Sequence, residues 1–165
     1  KLEKNNNTTI NNDNKTINNI IINNYGNESV NYLFIKKTCE KFINKVYKSI
    51  PCITKELYFN PAHPENRTIR IRNKKSPFME VYNGKEWEFR YKKDTLEEIT
   101  AYSKYTIDDM FEYLVDKFGD IFNTKVRHKI FSKYLKDYED KPALRKIIMK
   151  DNELIILNET KNLKI

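Results

Sequence analysis

The sequence predicts an α+β protein, mainly helical around a small antiparallel sheet, with an Asn-rich extended segment ahead of the folded domain. Three observations support this fold class. Alternating polar and apolar residues at 68–73 are followed by two more alternating stretches on either side of an Asn-Gly dipeptide. Apolar residues recur at helical spacing both before and after that region. Twelve of the first 31 residues are Asn, which is typical of a linker or stalk.

Residues 1–27 are predicted to be a low-complexity stalk or linker, and residues 28–165 the globular domain. At Glu28 the composition changes abruptly from Asn and Thr to aromatic residues and Lys. A strand is expected at residues 20–25. The chain starts with Lys rather than Met, which indicates a fragment or a processed piece.

The Asn-rich segment also suggests self-association. Thr-Ile-Asn-Asn occurs at residues 9–12 and again seven residues later. That spacing is typical of coiled coils, but Asn, Thr and Ile are mediocre helix formers, so extended structure is expected instead. Four isoleucines have no evident partner within one chain: Ile10, Ile17, Ile20 and Ile22. The alternatives are a homo-oligomer, with a trimer as the first guess, and a disordered tether.

Two helices are predicted ahead of the sheet. Apolar spacing indicates the first over residues 35–48. Pro51 should stop it and begin a second helix that ends at Phe59, because proline is tolerated in a first turn but not deeper in a helix. Residues 60–66 contain two prolines and are expected to form a rigid loop.

In the strand predicted at residues 68–73, alternation assigns side chains to opposite faces. Ile69 and Ile71 should face the core, whereas Arg70 and Arg72 should face solvent.

The Asn-Gly dipeptide at Asn83 predicts a hairpin over residues 78–91. Asn-Gly accepts the positive φ angles of a two-residue turn, so that turn should set the register. Trp87, Phe89 and Tyr91 should share one face. A place in the core is favoured for these rings over a base-stacking platform.

A capping-box pattern at Asp94 predicts a helix that ends near Ser103. The next helix should open at Thr106 and end at Gly119, in the left-handed conformation.

Two more helices are predicted at the C-terminal end. The first should cover residues 121–138, on the basis of its apolar spacing. The last should begin at Pro142 and either run through Leu157 or break at Asp151 and Asn152.

The net charge of +8 is concentrated in the middle of the chain, where residues 32–93 hold fifteen basic and six acidic residues. A local excess of this kind favours a polyanionic partner such as DNA, contacted through its phosphates. Five cations near the first strand are the candidate nucleic-acid-binding residues: Arg67, Arg70, Arg72, Lys74 and Lys75. The alternative is a solvated basic face on a module whose partner is a protein.

No recognisable spacing joins a nucleophile to a base, so a non-enzymatic module is expected, without cofactor or metal. Cys39 and Cys52 are too far apart for a redox pair and are expected to be free thiols. With His63 and His128 they complete no zinc-binding spacing. The alternative is a nuclease-like enzyme that uses His63 and nearby acids.

No apolar run approaches the length needed to span a membrane, and no signal peptide is visible. An intracellular, soluble protein without membrane contact is therefore expected.

Five short motifs occur in a characteristic order. They are Asn-Asn-Ile-Ile-Ile-Asn-Asn-Tyr-Gly-Asn-Glu at 18–28, Ser-Ile-Pro at 49–51, Phe-Asn-Pro-Ala-His-Pro-Glu-Asn at 59–66, Asn-Lys-Lys at 73–75 and Tyr-Asn-Gly-Lys-Glu-Trp at 82–87. Over about residues 8–160, this order resembles the C-terminal region of Asn-rich proteins of giant DNA viruses of the mimivirus type.

Many of those relatives carry a C2H2-type zinc finger ahead of this region. This chain does not contain the finger, so the resemblance assigns metal-dependent DNA binding to no residue here. It implies a DNA-associated viral protein that acts inside an infected cell, in the viral factory, cytoplasm or nucleus, or that is carried in the virion. It implies no mechanism.

Overall fold

The structure, a computed structural model, describes residues 20–122 and 126–163, without the side chains of residues 120–127. It confirms the predicted α+β fold class: the described residues are mainly helical, with a three-stranded antiparallel sheet. The elements in chain order are α1 (Lys36–Ile43), α2 (Ser49–Phe59), β1 (Ile69–Arg70), β2 (Phe78–Tyr82), β3 (Trp87–Tyr91), α3 (Lys92–Phe122), α4 (Val126–Asp140) and α5 (Pro142–Asn162).

The first predicted helix is shorter than expected. It ends at Ile43, and Val46–Lys48 form a single 3-10 turn in which Val46 has a φ of 45°. This left-handed conformation is unfavourable for a β-branched residue, so the surrounding packing must hold it. As predicted, Pro51 lies in the first turn of α2, and that helix ends at Phe59.

The predicted break between Ser103 and Thr106 is wrong, because α3 runs from Lys92 without interruption past both residues. The hydroxyl groups of these two residues do not end the helix, because each has a hydrogen-bond partner that is compatible with helical backbone. Ser103 Oγ lies 2.8 Å from Thr54 Oγ1 on α2, and Thr106 Oγ1 donates to the carbonyl of Tyr102. The expected helix end at Gly119 corresponds to a kink one residue earlier: Phe118 has non-helical angles and separates two helical stretches, the second of which continues to Phe122.

Of the two alternatives for the last helix, the structure shows the continuous one. Pro142 is in its first turn, and the helix runs to Asn162. Asn152, where a break was considered, is buried and donates from Nδ2 to Thr100 Oγ1 at 2.9 Å. The side chain is therefore bonded to α3 and does not redirect its own backbone.

The sheet has the order β1-β2-β3, and β1 is shorter than the predicted strand. Ile69 pairs with Val81, but the amide of Ile71 donates to Thr160 Oγ1 on α5 and not to a strand. As predicted, both isoleucines are buried in the core.

The hairpin forms, but its turn is not centred where the dipeptide predicted. Tyr82 pairs with Trp87, so four residues connect the strands. The amide of Asn83 donates to the carbonyl of Glu86, and Gly84 has a φ of 94°. The tight turn is therefore centred on Gly84 and Lys85. Asn83 Oδ1 supports it by accepting from the amides of Lys85 and Glu86.

The helices α2, α3 and α5 contribute to both of two buried apolar clusters. One cluster lies among the helices and includes Ile53, Leu114 and Phe131. The other packs under the sheet and includes Leu57 and Val81. The hydrogen-bonded pairs Thr54–Ser103 and Thr100–Asn152 are buried on the same three helices. Because three helices span both clusters, the clusters belong to one folded unit.

The last residues of the Asn-rich segment are held against the domain, although no strand forms at residues 20–25. The amide of Asn23 donates to the carbonyl of Glu65, and that of Tyr25 to the carbonyl of Tyr82. Glu28 is buried and accepts from the amide of Gly26 and from Thr68 Oγ1. Burial raises the pKa of the Glu28 carboxyl, although both of these bonds oppose the shift.

Asn66 connects this segment to the loop at residues 60–66. Its Oδ1 accepts from Asn23 Nδ2 at 2.9 Å and from the amide of Ser29 at 2.8 Å. Its Nδ2 donates to the carbonyl of Ser29 at 2.8 Å. The sequence motifs at 18–28 and 59–66 are thus next to each other in space.

Replacing Asn66 with Ala should lower the free energy of unfolding by about 2 kcal/mol, because three hydrogen bonds at a buried side chain are lost together. Urea denaturation measures the effect. Asn73→Ala is the matched control, since among the described residues this exposed side chain accepts one hydrogen bond, from the amide of Lys75. Equal, small losses in the two variants would contradict a connecting role for Asn66.

Candidate nucleic-acid interface

The face of the sheet that points away from the core carries exposed aromatic rings. Residues paired across antiparallel strands share a face, and the register places Phe78 opposite Tyr91 and Tyr82 opposite Trp87, with Phe89 opposite Glu80. Phe78 is 41% exposed, Phe89 73% and Tyr91 66%. We call Phe78, Phe89 and Tyr91 the aromatic face. The prediction that these rings pack in the core is wrong for Phe89 and Tyr91, because the apolar cluster lies against the opposite face of the sheet.

Arg70 lies on this outer face, but the prediction that it is exposed is wrong. It is 7% exposed, and its Nε and Nη2 donate to the two oxygens of Glu80 at 2.8 and 3.0 Å. The Trp87 ring covers the guanidinium, with its centroid 3.8 Å from Cζ. Alternation correctly assigned Arg70 and Ile69 to opposite faces of the strand. The side chain of Arg70 is nevertheless covered, by Glu80 and Trp87 on the neighbouring strands.

The other four candidate cations differ in their surroundings. Arg72 is exposed, and its Nε also pairs with Glu80, at 2.9 Å. Lys74 and Lys75 are exposed in the loop between β1 and β2. Arg67 is half-buried and lines a cavity at the free edge of β1. The structure therefore brings Arg72, Lys74 and Lys75 together as exposed cations and places Arg67 apart from them.

Four lysines that are not among the predicted nucleic-acid-binding residues line a groove between the start of α3 and α5. They are Lys92, Lys93, Lys146 and Lys150, with Glu153 as the acidic residue of that lining, and we call this feature the lysine groove. Lys92 Nζ contacts both the carbonyl of Lys74 and Glu153, each at 2.8 Å. The groove is thus continuous with the loop that holds Lys74 and Lys75. The spacing of Lys146 and Lys150 places them on one helix face, but only tertiary packing brings α3 beside them.

His63, the residue of the nuclease alternative, takes part in packing. Its ring stacks on Tyr32 with centroids 3.6 Å apart, and its Nδ1 lies 3.0 Å from Glu65 Oε1. Within the described ranges, no three His, Cys, Asp or Glu side chains are grouped so that they could hold a metal ion. The enzyme alternative stays a hypothesis.

Both cysteines are free thiols, as expected. Cys39 is buried, and burial raises the pKa of its thiol to about 11, so it is protonated at neutral pH.

The predicted oligomerisation residues are only partly described. Ile10 and Ile17 lie outside the described residues, whereas Ile20 is 50% exposed. Ile21, which is not among the four predicted oligomerisation residues, is 84% exposed. The expectation that Ile22 lacks a partner within the chain is wrong, because it is half-buried and lines the cavity beside Arg67.

Across the part of the chain that the structure describes, no helix combines the length and apolar character needed to cross a membrane. Comparisons with family models, curated proteins and solved structures give no match to this chain. The resemblance to Asn-rich proteins of giant viruses stays a prediction.

Proposed function

We propose that this chain is a non-catalytic module that binds nucleic acid at the outer face of its sheet. The aromatic face would stack on unpaired bases, and Lys74, Lys75 and the lysine groove would contact phosphates. One observation carries the proposal: large exposed rings lie on a sheet face that adjoins the loop with the exposed Lys74 and Lys75.

The rings favour single strands over duplexes. Every base has a π-face, so aromatic side chains stack on successive unpaired bases with little sequence preference. In a duplex these faces are already stacked. Phe89 and Tyr91 are two residues apart on β3, so their side chains stand side by side on the same face.

The charges around the rings complement a polyanion. No ion pair involves Lys74 or Lys75 within the described part of the chain. Arg70, Arg72 and Glu80 together keep one net positive charge, and the lysine groove holds four cations against one acid. Phosphate contacts of this kind position a strand but carry no sequence information.

The test is the salt dependence of binding to a mixed-sequence single-stranded oligonucleotide, followed by fluorescence anisotropy. Three or four phosphate contacts should give a slope of roughly −2 to −3 in log affinity against log salt, at about 0.7 per phosphate. The double variant Lys74→Glu/Lys75→Glu should flatten this slope by roughly 1.4 and weaken binding similarly for all sequences.

Lys129→Glu/Lys133→Glu is the matched control, since it makes the same change of charge at exposed positions on α4. It should leave the slope nearly unchanged. If binding is undetectable at low salt, or if both double variants weaken it equally, the lysines only solubilise the domain and the partner is a protein. Arg70 is unsuitable for charge reversal, because its buried ion pair makes it part of the fold.

Self-association through the Asn-rich segment is the second part of the proposal. Ile20 and Ile21 are exposed where the described chain begins, and further Ile residues precede them in the sequence. Apolar side chains of this kind gain about 25 cal/mol per Å² when they are buried against other copies.

Removing residues 1–21, and with them Ile20 and Ile21, should therefore lower the sedimentation mass of the assembly to that of one chain. This truncation keeps Asn23 and Tyr25, whose contacts hold the segment to the domain. If the full chain is already a monomer, the segment is a tether.

The resemblance to giant-virus proteins supplies the proposed setting. The module would follow an Asn-rich stalk in a viral DNA-associated protein, inside an infected cell or in the virion. Multiple copies joined by the stalk would present several nucleic-acid faces together, which strengthens the binding of a long strand without new contacts.

A further inference from the structure

A cavity of about 450 Å³ lies at the free edge of β1, away from the exposed lysines. Its walls come from the Asn-rich segment, the sheet and the end of α5. The apolar part of the lining is Ile22, Ile69, Leu163 and the Trp87 ring, and Asn162 adds a polar side chain. The volume falls within the range of small-molecule sites, which are mostly apolar with a few polar groups.

Arg67 is the distinctive side chain of this cavity. Every other arginine whose side chain is described has acceptors: Arg70 and Arg72 at Glu80, Arg90 at Glu98, and Arg145 at two carbonyls. Arg67 forms no hydrogen bond or ion pair through its side chain among the described residues, and its Nε is enclosed by protein without an acceptor. An enclosed guanidinium nitrogen without an acceptor favours a ligand that can accept from it, and an anion accepts most strongly.

The rest of the lining strengthens this preference. No carboxylate is present in the lining, within the part of the chain that the structure describes. The second guanidinium there, that of Arg70, is neutralised by Glu80. The cavity therefore has one unpaired positive charge beside apolar side chains and the Trp87 ring, which also contacts the guanidinium of Arg70.

We propose that this cavity binds a small organic anion, in which one carboxylate or phosphate is carried on a compact apolar or aromatic body. The anionic group would pair with the guanidinium of Arg67. The body would lie against Ile22, Ile69 and Trp87. The cavity adjoins the aromatic face, because Trp87 is on the same face of the sheet as Phe89 and Tyr91, but Arg67, which would hold the anion, is not part of that face.

Trp87 is the single tryptophan of the chain, so its fluorescence reports on this cavity directly. The full chain is titrated with benzoate, phenyl phosphate and inorganic phosphate, with excitation selective for tryptophan. Benzamide is the neutral control, because it matches benzoate in size and shape. Benzoate and phenyl phosphate should bind saturably, and benzamide at least about tenfold more weakly, since a charge-assisted hydrogen bond is lost.

Arg67→Gln should weaken benzoate binding by about tenfold or more and remove the preference for benzoate over benzamide. Arg72→Gln is the matched control, because Arg72 is exposed and lies outside the cavity lining. Arg67→Gln should also leave oligonucleotide affinity within about twofold, so this proposal and the nucleic-acid proposal can fail separately.

Three outcomes would overturn the proposal: benzoate binding no tighter than benzamide, unchanged benzoate affinity in Arg67→Gln, or inorganic phosphate binding as tightly as phenyl phosphate. The last would show that the apolar walls contribute nothing. If Arg67→Gln does not fold, the comparison of benzoate with benzamide on the unmodified chain decides.

Discussion

Replacing Glu80 with Gln should lower the free energy of unfolding by about 3 kcal/mol, because it leaves a buried arginine without its counter-charge. Glu80 is 8% exposed and accepts from Arg70 through both oxygens, while Arg72 adds a third contact. The variant keeps the shape of the side chain but removes the negative charge. Urea denaturation at neutral pH measures the loss. The dependence of the unfolding free energy on urea concentration is compared between the variants.

Glu98→Gln is the matched control for Glu80. Glu98 also holds an arginine through two oxygens, but its side chain is 47% exposed and that of Arg90 is 35% exposed. Solvent screens such a pair, so the loss should be below about 1 kcal/mol. If the two variants lose equal free energy of unfolding, burial of the Arg70–Glu80 pair does not increase the contribution of that pair to stability.

The double variant Phe89→Ala/Tyr91→Ala should weaken binding of a single-stranded oligonucleotide by about thirtyfold or more. Stacking of one base on an aromatic side chain contributes roughly 1 to 3 kcal/mol, so two lost platforms remove at least about 2 kcal/mol. Both rings are largely exposed, and their removal should leave the fold intact. Anisotropy titrations with single strands and with duplexes of the same sequence measure the effect.

Tyr47→Ala/Tyr105→Ala is the matched control for the aromatic face. These tyrosines are 54% and 61% exposed and belong to the helical part of the domain. Their loss should leave oligonucleotide affinity nearly unchanged. An unaltered affinity in Phe89→Ala/Tyr91→Ala would assign the aromatic face to a protein partner, and an equal loss for duplexes would exclude base stacking.

Several elements could be predicted because residues close together in the chain decide them. Pro51 and Pro142 lie in the first turns of their helices, where a missing amide hydrogen costs little. Alternation placed Ile69 and Ile71 in the core. The hairpin at residues 78–91 formed, and Trp87, Phe89 and Tyr91 share a face as expected. Of the candidate site, Arg72, Lys74 and Lys75 are exposed as predicted.

Other outcomes depended on groups far away in sequence. A helix end was expected near Ser103, but its hydroxyl group is hydrogen-bonded to that of Thr54 on α2. In the same way, the side chain of Asn152 donates to Thr100 on α3. Once such a polar side chain is buried, a partner on another helix satisfies it, and its local preference for turns no longer decides the backbone.

The same reasoning applies to the site. Alternation decides which face of a strand Arg70 occupies, but its burial depends on Glu80 and Trp87, which the sheet register brings over it. The exposure of Phe89 and Tyr91 was also decided in three dimensions, because the helices α2, α3 and α5 cover only the other face of the sheet. Burial is a property of the layers packed on a strand, and a strand's own residues do not contain that information.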